Sequence, residues 1–122
     1  MPDRENAASV VDAYHQAWTT GAVDRAMTYV AEHVRCSAPD DTVTTKEEWE
    51  HYLTSFVPML TAAPEHTRMI DGNRVALWYF PQTEVTTTTL ASELFTVEDG
   101  QITEIHLAFD RLGYLPPEGA AG

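Results

Sequence analysis

Cysteine is nearly absent from this sequence: among 122 residues, Cys36 is the only one. A single thiol excludes an internal disulfide framework and a metal site built from several cysteines. Glycine is scarce as well, with six residues and no glycine-rich phosphate-binding loop. The five histidines lack the paired spacing of a zinc site. We therefore expect neither a metal nor a cofactor.

Basic residues are few: seven lysines and arginines stand against nineteen acidic residues, which gives a formal net charge of −12. Such a charge repels nucleic-acid phosphates and acidic membrane surfaces, so neither is an expected partner. No apolar run approaches the roughly 20 residues of a membrane span, and residues 1–6 lack the apolar core of a secretion signal. These absences predict a soluble, cytoplasmic protein.

The length and the 43% hydrophobic content are those of one globular domain with room for a core and one ligand cavity. Its first half is predicted to be mainly helical, because apolar residues recur at helical spacing over 4–19 and 23–31. A third helix is expected to begin at Thr45, which forms a capping box with Glu48, and to end near Pro58. A short strand at 34–38 and a turn at 39–41 precede that helix.

The second half is rich in β-branched and aromatic residues, which predicts four strands, at 65–70, 74–80, 84–97 and 101–110. Asp99-Gly100 suits a tight hairpin between the last two strands. Helices followed by strands indicate an α+β fold with three N-terminal helices packed on an antiparallel sheet. We expect a single domain over 1–122, ordered from about 5 to 113, with a flexible tail at 114–122.

Three stretches carry a family resemblance. They are VDAYHQAWTTGAVD at 11–24, YVAEHV at 29–34, and DGQITEIH at 99–106 followed by FDRLG at 109–113. In their order and spacing they resemble the SnoaL-like branch of the nuclear transport factor two-like superfamily. This superfamily includes ketosteroid isomerases, limonene-epoxide hydrolases and SnoaL-type polyketide cyclases.

The resemblance implies a cone-shaped α+β barrel whose strongly curved sheet encloses an apolar cavity for a small molecule. Side chains alternate between the two faces of a strand, so the inward set follows from the register. Alignment with the isomerases predicts these inward residues: Val34, Cys36, Ala38, Thr88, Leu90, Ser92, Leu94, Ile105, Leu107 and Phe109.

The functional positions of the family match poorly. Ala38, before Pro39, stands where the isomerases have their general base, and Ser92 stands at the position of their hydrogen-bonding acid. Leu107 stands where the epoxide hydrolases and cyclases carry an aspartate. Tyr14 alone matches, at the oxyanion-stabilising tyrosine. Because a fold does not fix a reaction, the usual isomerase and epoxide-hydrolase activities are not expected here.

Three residues are the candidates for chemistry: Tyr14, Asp40 and His66. The Tyr14 phenol suits donation to a developing oxyanion, although a packed tyrosine bonded to the backbone fits the same pattern. Asp40 at the cavity mouth would act as a base, or else form a solvated turn with its neighbours. His66 opens a strand, and scytalone-dehydratase relatives carry histidines on strands of this sheet; a surface role is its alternative. The expected substrate-binding residues are Trp18, Trp49, Phe56, Leu90, Ser92, Leu107 and Phe109.

Two hypotheses about function follow. The first is an enzyme that assists isomerisation, cyclisation or dehydration of an apolar, polyketide- or terpenoid-like substrate. The second is a non-catalytic ligand-binding or dimerisation module, which a closed cavity would favour. Family resemblance also predicts a homodimer through the outer sheet face, with Thr87, Thr89, Ala91, Glu93 and Phe95 pointing outward beside Trp78 and Phe80. Cys36 is expected to be a small buried side chain rather than a nucleophile.

Overall fold

The computed structural model describes residues 3–39 and 41–110. This described part of the chain has three α-helices and one 3-10 turn: α1 (Asp3–Thr19), α2 (Val23–Met27), α3 (Lys46–Phe56) and the 3-10 turn Val57–Met59. Helices α1 and α2 come before the first strand, and α3 with the 3-10 turn comes between the second and third strands. Six strands follow one another as β1 (Val30–Ala38), β2 (Asp41–Val43), β3 (Glu65–Asp71), β4 (Arg74–Tyr79), β5 (Ala91–Glu98) and β6 (Gln101–Ala108). The predicted α+β class is confirmed, and the predicted elements appear in the predicted order, with β2 as an additional strand that the sequence analysis did not predict. The predicted tail at 114–122 lies outside the described residues.

The six strands form one curled sheet in the order β2-β1-β6-β5-β4-β3, so β2 and β3 remain as open edges. Four of the five pairings are antiparallel, but β1 runs parallel to β6. The sheet is therefore mixed and unclosed: the predicted antiparallel pairing is found everywhere except between β1 and β6. A parallel pair needs a long connection between its two strands. Here the chain between β1 and β6 includes α3.

Local sequence signals fix the ends of most elements. The Thr45 hydroxyl accepts the backbone N–H of Glu48 at 3.2 Å, and the Glu48 carboxylate accepts the backbone N–H of Thr44 at 3.1 Å, so the predicted helix start is confirmed. Asp99 and Gly100 both adopt positive φ, 52° and 78°, as a tight hairpin turn requires. Helix α2 is shorter than predicted because Val30 already pairs with Ile102 in the sheet.

The predicted strand at 84–97 is wrong over its first half, since β5 begins only at Ala91. Residues 84–90 form a loop in which hydroxyl groups bond locally. The Thr83 hydroxyl accepts the backbone N–H of Val85 at 3.1 Å, and the Thr86 and Thr89 hydroxyls lie 3.0 Å apart. Threonine favours strands, but its hydroxyl also stabilises turns, and the local bonds prevail here.

The face assignment of β5 is also wrong by one residue. Its buried side chains are those of Ala91, Glu93, Phe95 and Val97, whereas Ser92 and Leu94 lie on the other face. The hairpin sets this register by pairing Val97 with Ile102. A slip of one residue turns every side chain of a strand to the opposite face. Ala91, Glu93 and Phe95 therefore do not belong to the outward surface predicted for a dimer. The homodimer itself stays a prediction.

The core lies between α1, α3 and the concave face of the sheet. Its largest fully buried side chains include Trp49, Tyr14, Tyr79 and Phe95. Val34, Cys36 and Ile105 are buried from β1 and β6, which confirms their inward assignment. None of the described helices has the length and apolar character needed to cross a membrane.

Candidate functional site

A small apolar pocket opens at one end of the core. The helices contribute Trp18, Tyr52, Leu53 and Phe56, and the sheet with its flanking loops contributes Tyr79, Pro81, Ala91, Glu93, Leu107 and Phe109. Its free volume is about 30 Å³, well below the roughly 300–1,000 Å³ of typical ligand sites. Tyr52, Phe56, Leu107 and Phe109 are only half-buried. A ligand larger than a few atoms therefore has to displace these side chains at the mouth.

Glu93 is the one charged side chain that lines this pocket in the described part of the chain. It is 2% exposed, in the middle of β5. The hydroxyl of Tyr79, which sits diagonally across from it on β4, donates a hydrogen bond to its carboxylate at 2.7 Å. Burial raises the pKa of Glu93 from 4.5 to about 7, while the Tyr79 hydrogen bond lowers it. Near neutral pH this carboxyl can thus either give or take a proton.

Tyr14 lies deeper than predicted. It is fully buried on α1 and does not belong to the pocket wall. The indole N–H of Trp49 donates to its hydroxyl oxygen at 2.7 Å, and its ring meets Phe95 edge to face at 5.7 Å. Burial and the nearby Glu93 raise the pKa of Tyr14 well above its ordinary value, and the Trp49 hydrogen bond lowers it. This phenol therefore joins α1 to α3 beneath the pocket.

We expect Tyr14→Phe to lower the free energy of unfolding by roughly 1–3 kcal/mol, because the buried Trp49 N–H loses its acceptor. Urea denaturation of both proteins at one pH measures this change. Tyr29→Phe, on a half-buried tyrosine before β1, is the matched control. An unchanged stability with a large loss of activity would instead support the oxyanion role first predicted for Tyr14.

The other two predicted chemical residues do not join this site. Asp40 lies outside the described residues. His66 is exposed on β3, and its ring contacts Phe80 at 5.7 Å. The expectation that His66 faces the cavity is therefore wrong, because the bulge between Glu65 and Thr67 shifts the register there.

The seven predicted binding residues divide into three groups. Trp18, Phe56, Leu107 and Phe109 line the pocket. Trp49 is buried behind it, stacked on Tyr52 at 4.9 Å. Leu90 is 42% exposed in the loop before β5, and Ser92 lies on the face opposite Glu93, so their inward placement is wrong.

His15 is the histidine that approaches the site. Its ring meets Tyr79 at 4.5 Å and Trp18 at 5.6 Å, both edge to face. Burial lowers the pKa of His15 to about 4, an effect that the nearby Glu65 carboxylate opposes. His15 is therefore neutral at physiological pH.

Cys36 is buried on β1, as expected. Burial raises the pKa of its thiol, and the Glu93 carboxylate raises it further. A thiol that stays protonated is a poor nucleophile. Among the described residues, no group of three or more histidine, cysteine or acidic side chains is arranged to hold a metal.

Sequence reasoning missed Glu93 and Tyr79, although a signal for Glu93 was present. Side chains two residues apart on a strand share a face, and the residues that share the face of Glu93, namely Ala91, Phe95 and Val97, are apolar. The other face carries the polar residues Ser92 and Thr96. Counting back from the Asp99-Gly100 turn would have placed Glu93 inside. The ungapped alignment to the isomerases favoured Ser92 instead.

The chain belongs to the SnoaL-like domain family, whose model matches residues 11–105. No curated protein gives a significant sequence match. A solved structure of a protein from Kribbella flavida is 29% identical, with 87% of this chain and 88% of that chain covered and a TM-score of 0.83.

Two further structures share the fold at lower identity. A provisionally assigned ketosteroid isomerase from Kribbella flavida is 18% identical, with 98% and 87% of the two chains covered and a TM-score of 0.82. A provisionally assigned polyketide cyclase from Sinorhizobium meliloti is 13% identical, with 81% and 93% covered and a TM-score of 0.73. At these identities the likeness establishes the nuclear transport factor two-like fold and leaves the reaction open.

Proposed function

We propose that this protein is a cofactor-independent enzyme in which Glu93 transfers protons on a largely apolar substrate. The observation that carries the proposal is a single carboxyl buried in an apolar pocket wall, held by Tyr79 at 2.7 Å. A general base works best when its pKa lies near the working pH, and burial brings Glu93 to about 7. Such strongly shifted groups in clefts are typical of active sites.

The reaction starts with removal of a proton from a carbon next to a carbonyl group. The Glu93 carboxylate takes the proton, and the C–H electron pair moves to make an enolate. Return of the same proton to another carbon completes an isomerisation. The same enolate also begins an aldol-type cyclisation or the β-elimination of water, so one step serves the three reactions expected for the family.

The remaining pocket residues hold the substrate for this step. Trp18, Phe56, Leu107 and Phe109 supply apolar contacts, which favour a polyketide- or terpenoid-like skeleton. Tyr79 fixes the carboxylate through its hydrogen bond. The half-buried mouth residues must move to admit a substrate of that size, so opening of the pocket is part of the cycle.

The test is the pH dependence of a model isomerisation. Cyclohex-3-enone, a small β,γ-unsaturated ketone, becomes conjugated on isomerisation and is followed by ultraviolet absorption. We expect kcat/KM to rise with pH and level off above a midpoint of about 7, because only ionised Glu93 is a base. Tyr79→Phe should move the midpoint upward, since the hydrogen bond that stabilises the carboxylate is lost. A profile without an inflection between pH 5 and 9 would contradict the role of Glu93.

The alternative is a non-catalytic binding or dimerisation module of the same fold. The small free volume, about 30 Å³, favours it. This alternative predicts that cyclohex-3-enone neither isomerises above the buffer rate nor exchanges its α-protons for deuterium in D₂O. Exchange seen by NMR with the native protein, and not with Glu93→Gln, would exclude it.

A further inference from the structure

Three buried nitrogen atoms without a hydrogen-bond partner among the described residues belong to Trp18, which lines the pocket, and to its neighbour His15. Trp18 is 2% exposed and lines the pocket, and its indole N–H has no hydrogen-bond partner among the described residues. Both ring nitrogens of the neighbouring His15 are also buried without a hydrogen-bond partner among the described residues. A buried donor without an acceptor typically costs about 1–3 kcal/mol, so such a group needs a reason.

The other buried indole in the core shows the contrast. The N–H of Trp49 is bonded to the Tyr14 hydroxyl at 2.7 Å. That bond also occupies an acceptor position of Tyr14, which is buried behind the pocket wall. Trp18 therefore carries a hydrogen-bond donor that the fold does not use, on a side chain that lines the pocket.

We propose that the indole N–H of Trp18 binds the carbonyl oxygen of the ligand, so that the pocket selects small apolar carbonyl compounds over hydrocarbons of the same shape. The role of Trp18 in the reaction rests on the proposed function, whereas its binding of a carbonyl oxygen does not. Within the described residues no arginine or lysine lines the pocket. A neutral carbonyl therefore suits this wall better than a carboxylate or a phosphate, since Glu93 and the net charge of −12 repel anions.

The same donor stabilises the charge that forms during proton transfer. When the Glu93 carboxylate takes the α-proton, the C–H electrons form a carbon–carbon double bond and the carbonyl electrons move onto oxygen. The Trp18 N–H then donates to an oxyanion, which accepts a stronger hydrogen bond than a neutral carbonyl does. Reprotonation at carbon by Glu93 restores both groups. No proton or electron is left over, and no co-reactant is needed.

His15 holds the Trp18 ring in place. Its ring meets Trp18 at 5.6 Å and Tyr79 at 4.5 Å, and the Trp18 and Tyr79 rings meet each other at 6.2 Å, so the donor, His15 and the tyrosine that holds the base pack as one cluster. Glu65, Arg68 and Asp12 face His15 from β3 and α1, and Arg68 bonds to both carboxylates. The neutral imidazole adds no charge that would compete for the ligand oxygen.

The test is an NMR titration of ¹⁵N-labelled native protein. The three tryptophans give three indole N–H signals, which Trp18→Phe and Trp78→Phe assign. Cyclohexanone is the probe, and methylenecyclohexane, which carries a carbon–carbon double bond in place of the carbonyl, is the matched control. We expect cyclohexanone to move the Trp18 indole proton downfield, and methylenecyclohexane not to do so. Trp78, which lies on the outer sheet face, should not respond to either.

Trp18→Phe keeps an aromatic ring and removes the donor. We expect it to bind cyclohexanone about threefold to tenfold more weakly, as for one neutral hydrogen bond, and to bind methylenecyclohexane unchanged. If this variant does not fold, the native titration still decides, with the Trp18 signal assigned by its nuclear Overhauser contacts to Tyr79. A Trp18 signal that stays fixed at saturating cyclohexanone, equal shifts with both probes, or binding of neither would overturn the inference.

The two proposals fail separately. If Glu93→Gln abolishes isomerisation while the Trp18 signal ignores cyclohexanone, the proposed reaction stands and the donor role of Trp18 is wrong. If the Trp18 signal responds while Glu93→Gln isomerises cyclohex-3-enone at the native rate, the binding inference stands and the proposed reaction is wrong.

Discussion

Replacing Glu93 by glutamine should lower kcat/KM for isomerisation by roughly 10²–10⁴-fold, the usual contribution of a positioned acid–base group. Glutamine has nearly the same size and its amide oxygen still accepts the Tyr79 hydroxyl, so the pocket keeps its shape. The amide cannot take a proton from carbon near neutral pH. The loss should therefore fall on kcat, while KM for cyclohex-3-enone stays within a few-fold of the native value.

Glu98→Gln is the matched control for this variant. Glu98 ends the same strand, β5, but its side chain is exposed and outside the pocket wall. We expect native activity from this control at every pH. Equal activities of Glu93→Gln and Glu98→Gln would mean that Glu93 moves no proton and that the binding module is the better hypothesis.

The second large effect is on stability. Ionised Glu93 is disfavoured in the folded protein, because burial raises its pKa from 4.5 to about 7. The folded state then holds a proton that the unfolded chain has released, so stability falls as pH rises from 4.5 through about 7. The pKa difference corresponds to about 3 kcal/mol. Glu93→Gln should thus unfold with a free energy about 3 kcal/mol above the native protein at pH 8, and nearly equal to it at pH 4.

His15 has the opposite dependence. Its pKa is lowered by burial from 6.5 to about 4, so its contribution to stability is complete above pH 6.5 and is lost as pH falls toward 4. In the native protein the two contributions oppose one another between pH 4.5 and 6.5. Of these two contributions, the Glu93→Gln variant retains only that of His15. We therefore expect the stability of this variant to rise with pH between 4.5 and 6.5.

Urea denaturation at intervals between pH 4 and 8 measures both effects. The difference between Glu93→Gln and the native protein isolates Glu93, because every other titrating group is common to the two. Glu98→Gln again serves as control and should follow the native curve. A constant difference across the pH range would show that Glu93 titrates normally in the folded protein.

The sequence by itself determined the elements whose signals are local. The capping pair Thr45 and Glu48 marks the start of α3, and Asp99-Gly100 marks the last hairpin. Helical spacing of apolar residues predicts α1 correctly. These features depend on contacts between residues a few positions apart, so the chain carries them without reference to the rest of the fold. The apolar pocket residues Trp18, Phe56, Leu107 and Phe109 were also predicted.

The tertiary structure showed which face of β5 meets the pocket, where the alternation along the strand gave only a signal that was missed. The faces of β5 depend on its register with β6, and a shift of one residue exchanges Glu93 with Ser92. The parallel pairing of β1 with β6 joins residues that are far apart in sequence, such as Cys36 and Ile105. No local pattern encodes such a contact.

Tertiary packing also decided the chemical character of Glu93 and Tyr14. Glutamate in a strand normally faces solvent as an anion, and only its enclosure by Tyr79 and apolar neighbours brings its pKa near 7. Tyr14 has the residue type of an oxyanion donor, but the packing of α3 against α1 engages its hydroxyl with Trp49. Residue types are written in the sequence, whereas desolvation and hydrogen-bond partners arise when distant segments pack together. The fold family could therefore be inferred from the chain, whereas the burial of Glu93 and its bond to Tyr79 are seen only with the strands in register.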